Sequence, residues 1–371
     1  MKYAITIIIL LFLFCPHVSR AQETPEKDEI FQARIIAVIA EEEKTTEDGN
    51  KFVQQHLRLT GLEGRYDGKE FEFNGIGDID VLSKHVFASG DKVTVAASYG
   101  EEGEVNFYIV DYVRSDSLWL AAALFLAALL AIGRFKGLRS LIALTVTFLI
   151  ILKYMIPQIL SGTNPLLVTA VGSVLILFSI IYITEGFCSR ANISVLSIFL
   201  SLILTVVLAN IFVGLTKLTG VTGEDVLFLS DIAGTSLNLR GLLLAGIIIG
   251  TLGVLDDIVI SQVATVEQIA GANRNFTKKE LFGKAYDVGT SHIASMTNTL
   301  FLAYAGASLP LLVLFVSGAS AFTGWTQAIN TELIATEIVR TLAGSIGLIL
   351  AVPISTYAAV LWYGSREQSR S

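Results

Sequence analysis

The chain has 371 residues, 53% of them hydrophobic and only 16% charged, with a net charge of −7. Its mean hydropathy is +0.65. A soluble protein carries about 25% charged residues, so a single soluble domain is excluded. The uneven polarity predicts a soluble part joined to a membrane part.

Residues 1–21 read as a secretory signal. Lys2 starts it, Tyr3 to Cys15 is apolar, Pro16 breaks the run and Ser19-Arg20-Ala21 resembles a cleavage site. An uncleaved anchor would show the same pattern. Phe14 is too large for the residue before a lipid-bearing cysteine. Cleavage leaves Cys188 alone, so no disulfide framework exists, and no Cys/His spacing suggests zinc. His17, His56, His85 and His292 are too scattered for a metalloprotease motif.

Residues 22–115 are expected to form a small all-β exported domain. They carry 20 Asp/Glu against 10 Lys/Arg, a net −10 that leaves +3 for the rest. That balance argues against nucleic acid and anionic lipid surfaces. Five runs read as strands: Phe31–Ala40, Phe52–Gly61, Lys69–Asn74, Asp91–Ser98 and Val105–Val113. Asp67-Gly68 is a hairpin signal and Gly100–Gly103 a turn. Five strands in this length predict an OB-like barrel. A fold of this kind shows no ligand by itself.

Residues 116–365 are expected to form an α-helical membrane bundle of about seven spans, ahead of a 366–371 tail. The apolar segments are 117–133, 138–158, 165–184, 192–214, 241–266, 291–317 and 338–362. Basic residues cluster after alternate spans: Arg134, Lys136 and Arg139, then Arg190, then Arg274, Lys278, Lys279 and Lys284, and finally Arg366 and Arg370. By the positive-inside rule these loops and the C-terminus are cytoplasmic, which puts the β-domain outside. Thr277 and Glu280 form a capping box, with Phe276 and Leu281 at the staple positions. They predict a short interfacial helix in the loop before the sixth span.

Asp256 and Asp257 sit inside the otherwise apolar fifth segment, Gly241 to Val266, and the run before them holds no charge. A carboxylate near a bilayer centre costs roughly 2.5–3.5 kcal/mol on insertion scales, which marks it as a functional candidate. Gly246, Gly250, Gly253, Asp257 and Ser261 fall on one helical face. Glycines there predict close helix packing, with Asp257 turned into the bundle. Asp256 shares its face with Glu267. The sixth segment opens with polar residues. His292, Ser295 and Thr299 share a face that overlaps Ser291, Ser295 and Asn298. Buried polar groups must find partners, and the fifth-span carboxylates are the expected ones. Carboxylates, hydroxyls and an amide suit protons or small cations, and His292 is a candidate relay. The bland alternative is hydrogen-bonded glue between helices. Asn210 and Pro353 are lesser candidates for glue and a kink.

These runs resemble the YibE/F-like family of bacterial multi-spanning membrane proteins. The carriers are Gly90-Asp91-Lys92-Val93, the run GTLGVLDDIVISQVATVEQI and the run MTNTLFLAYAGASLPLL. The family pattern falls on Gly253, Asp257, Ser261 and Glu267, and on Asn298, Thr299, Leu300, Ala303 and Tyr304. Asp256 is an additional acid. Thr290 and Ser291 stand where members often show Arg-Asp. A weaker likeness, G-x-x-D-D-x-I-V, is to the proton-relay helix of resistance-nodulation-division exporters. The resemblance implies a multi-pass membrane protein and no particular reaction.

Three functions compete. The first is a proton- or cation-coupled transporter or permease component centred on Asp257. The second is a non-transporting membrane scaffold or envelope-assembly factor acting through the β-domain. The third is an intramembrane aspartyl protease, which needs two aspartates on facing helices. Asp256 and Asp257 share one helix, and the nearby Asp287 lacks the G-x-G-D signature. No phosphate loop, nucleophile elbow or dinucleotide fingerprint is present, so neither an enzyme nor a cofactor is expected. The expected partners are the lipid bilayer, a small solute or ion, and a second copy or a paralogous membrane subunit.

Overall fold

The computed structural model describes residues 29–45, 51–76, 86–99, 105–222, 226, 228, 237–317 and 324–366. The signal segment, the Gly100–Gly103 turn, His17 and His85 lie outside them. The chain divides into two compact units between Ile132 and Gly133.

Five strands form one antiparallel sheet: β1 (Glu29–Thr45), β2 (Lys51–Gly61), β3 (Glu70–Asn74), β4 (Lys92–Tyr99) and β5 (Val105–Tyr112). Their order is β3-β2-β1-β4-β5. Each expected run overlaps one of them, and Lys69, Asp91 and Val113 fall just outside the strands. β1 continues past Ala40, where Glu41 to Thr45 pair with Gln55 to Lys51. Alternation buries Phe31, Ala33, Ile35, Leu57, Leu59, Val93 and Val95 on one face. The two edge strands approach through aromatic rings: Phe71 of β3 stacks on Phe107 of β5 with centroids 4.3 Å apart.

The β2–β3 connection is not a two-residue turn. A 3-10 turn at Gly64–Tyr66 intervenes, and Gly68 supplies the left-handed φ of 69°. Beside it, Tyr99 shares a hydrogen bond with the Tyr66 hydroxyl at 3.3 Å and donates to Glu29 at 3.1 Å. The Tyr66 contact, with desolvation and Glu29, pushes the Tyr99 hydroxyl up to about 12. Gly90-Asp91 forms the turn into β4. The Gly90 amide donates to the Ile35 carbonyl at 2.8 Å, and the Asp91 carboxylate accepts from the Ala88 amide at 2.8 Å. Lys92 then lies 2.7 Å from Asp116, tying β4 to the first helical turn after the sheet.

That helix, α1 (Ser115–Ile150), continues through a π-helical turn at Ile151–Met155 into α2 (Ile156–Leu160). The apolar run totals 46 residues. That is over twice the ~20 residues that one span needs. Arg134, with φ 47° and ψ −128°, breaks it where the first two expected spans meet.

The remaining helices are α3 (Pro165–Thr184), α4 (Ser189–Leu215), α5 (Leu239–Ala272), α6 (Lys278–Ala307), α7 (Leu309–Val316), α8 (Trp325–Ile329) and α9 (Glu332–Arg366). Among the described residues five helices are long and apolar enough to cross a membrane, or six when α6 and α7 count as one bent span. The chain is therefore a membrane protein, and the expected count of seven is not confirmed. α5 is central, with Leu255, Ile258, Val259, Val263 and Val266 buried in one core with residues of α3, α4 and α9.

The capping box is present, with the Thr277 amide 2.9 Å from Glu280. It opens α6 itself rather than a separate interfacial helix, because no breaker follows before Ser308. There Pro310 in the first turn of α7 accompanies a bend of 66°. α9 runs through Pro353.

Candidate intramembrane site

α5 exposes very little between Gly241 and Glu267. Its exposed positions are Gly246, Gly250, Gly253 and Asp257. The single face predicted for these residues is real, but its expected packing is not. A Cβ on Gly246 or Gly253 would meet nothing within 4 Å. Only Gly250 is approached, its Cβ position lying 3.0 Å from the Tyr304 hydroxyl of α6. Asp257 therefore looks out of the single-copy bundle, because the large residues of α5 claim its other faces for the core. Asp256, rotated by roughly 100°, is half-buried. One of its carboxylate oxygens is buried without a hydrogen-bond partner.

α6 runs antiparallel to α5. Gln262 donates to the Ala285 carbonyl at 2.8 Å, and Gly250 meets Tyr304. This register sets Asp257 level with the turn around Ser295. His292, Ser295, Asn298 and Thr299 are all exposed on α6. Among the described residues no hydrogen bond or ion pair joins any of them to Asp257. Ser291 and Thr299 instead donate to Asp287 and Ser295 carbonyls of their own helix, at 3.4 and 3.0 Å. They do not glue α6 to a neighbour, since hydroxyls readily bond back one turn. Ser261 is half-buried, and Asn210 is exposed on α4.

The glue lies elsewhere. Gln262, fully buried, also donates to the Thr356 hydroxyl of α9 at 2.8 Å. Gly289 permits this contact, since its Cβ position is 2.5 Å from Val352 and 2.9 Å from Gln262. Glu267 is bound rather than free. Arg190 of α4 holds it with a 2.5 Å contact and reaches Glu185 at 3.4 Å. Higher in α9, Arg340 pairs with Glu337 at 3.1 Å, and its Nε is buried without a partner. Among the described residues no three His, Cys, Asp or Glu side chains gather to hold a metal ion.

Sequence reading missed Gln262, Thr356, Arg190 and the Glu337–Arg340 pair as site neighbours. Signals existed: an amide in an apolar run, and opposite charges three apart at the start of α9.

A family model described as YibE/F-like protein matches residues 121–365, well over half of the chain. The chain belongs to this family. The YibE/F-like match covers every helix of the candidate site and none of the sheet. No curated protein and no solved structure matches the chain.

Proposed function

We propose that this YibE/F-like protein is the proton- or cation-coupled component of a transporter, with Asp257 as the ion-carrying group and Asp256 beside it. The observation that supports this most is the one carboxylate standing on the sole exposed face of the central helix, midway between its polar ends. An ionisable group at that depth serves an ion pathway by default. Ser295 and Asn298, at the same level on α6, supply hydroxyl and amide oxygens. A lone carboxylate with such neighbours suits a proton better than a cation needing six or more oxygens.

The break at Arg134 divides the α1–α2 run into two spans, which with α3, α4, α5, α6–α7 and α9 make seven. The basic residues around Arg134, Arg190 and Lys278 then face the cytoplasm, and the sheet lies outside. Its strand order and the Phe71–Phe107 stack suit an OB-like barrel. A cleaved signal segment belongs with this topology.

The test is a proton-flux measurement in vesicles holding the full chain, with a pH gradient imposed across them. Asp257→Asn is expected to abolish the flux while leaving the amount of membrane protein intact. Unchanged flux in that variant would sink the reading.

A further inference from the structure

The outer surface of the helical unit has two distinct chemistries. On α4, every exposed side chain from Leu196 to Val207 is apolar: Leu196, Phe199, Leu200, Ile203, Leu204 and Val207. That is a surface made for lipid tails. On α5 the exposed positions over the same kind of depth are three glycines and Asp257. Beside them α6 exposes His292, Ser295, Asn298 and Thr299. The two stretches adjoin, because the Tyr304 hydroxyl of α6 lies against Gly250.

Hydrocarbon cannot cover this second surface. An aspartate facing lipid is costly, and an unpaired amide or imidazole adds to it. Protein, or a water path enclosed by protein, must lie over it. The bare backbone at Gly246 and Gly253 leaves room for a helix to approach closely, as small residues do between spans.

We infer that a second copy of this chain covers the α5–α6 face, making a two-fold dimer in which each copy completes the surroundings of the other's Asp257. Self-complementarity selects this occupant. The face carries an acid, Asp257, and donors, His292 and Asn298, which lie six residues apart on α6 on either side of Ser295. A two-fold axis brings the acid of each copy against the donors of the other. The inference rests on lipid exclusion alone, so a protein that moves no protons would leave it standing.

Cysteine crosslinking of the full chain in native membranes tests it. In a background lacking Cys15 and Cys188, single cysteines are placed at Gly246, Gly253, Ala294 and Asn298, with Phe199→Cys as the lipid-side control. A short thiol crosslinker is expected to give a product of twice the chain mass from at least one of the four positions and none from the control. Two differently tagged copies expressed together should also co-purify. Gly253→Trp should reduce that recovery at least about tenfold, as steric overlap at a close contact does. A product containing a different protein overturns the second copy as occupant. Monomer alone from all four positions, with no co-purification, overturns the covered face altogether.

Discussion

Asp256 and Asp257 are adjacent in sequence and opposite in surroundings. One Asp256 carboxylate oxygen is buried with no hydrogen-bond partner, whereas Asp257 is exposed on the glycine face. The helical turn of roughly 100° per residue causes the difference. An unsatisfied buried polar group costs about 1–3 kcal/mol. Asp256→Leu is therefore expected to raise the midpoint of thermal unfolding in detergent, by removing that cost at similar volume. A lowered midpoint would show that Asp256 has a partner in the folded protein.

Gln262 links three helices through the Ala285 carbonyl and the Thr356 hydroxyl. Gln262→Leu removes both bonds, although the Thr356 hydroxyl keeps its 2.6 Å bond to the Val352 carbonyl. The expected loss is about 1–3 kcal/mol, seen as a lower melting midpoint. Thr356→Val alone should cost less, because the Ala285 bond survives. Equal losses from the two variants would count against Gln262 as the hub.

Two glycines separate packing from propensity. A Cβ on Gly347 would lie 2.0 Å from the Thr205 hydroxyl, so Gly347→Val forces α4 and α9 apart at about 1–3 kcal/mol. Thr205→Ala in the same chain should recover part of this. Gly283 is exposed in α6 with nothing within 4 Å. Gly283→Ala is therefore expected to stabilise by up to about 1 kcal/mol through helix propensity. Melting curves of the four chains check both statements.

Cys188 is a free, exposed thiol at the end of α3 and the start of α4. The proposed orientation puts Arg190 on the cytoplasmic side, so a membrane-impermeant maleimide should label Cys188 only after the cells are opened. Labelling of intact cells would invert the proposed orientation.

In the sheet, Arg58 donates to Glu72 at 2.9 Å and His56 lies 3.2 Å away. Arg58 first, then His56, hold the Glu72 carboxyl below its ordinary value of 4.5. The folded value is the lower one, so the contribution is complete above 4.5 and is lost as pH falls through the folded value. Hydrogen exchange of the β3 amides, compared at matched pH with Glu72→Gln, reads this. Wild type should be better protected near neutrality, and the difference should vanish in acid. A difference that persists in acid would contradict the pairing.

Local pattern was enough to place the five strands, because alternation of apolar residues assigns each strand one buried face. It also determined the long apolar helices and the Thr277–Glu280 cap, both set by local chemistry. The family motifs around Asp257 were legible for the same reason. Tertiary structure alone decided which helix face is covered. Periodicity puts Gly246, Gly250, Gly253 and Asp257 together but cannot say whether a helix lies over them. The sequence pattern of small residues pointed inward. Among the described residues of the helical unit that face is exposed, because the larger residues of α5 meet α3, α4 and α9. Likewise Arg190 finds Glu267 across 77 residues of chain, a contact that no local pattern encodes.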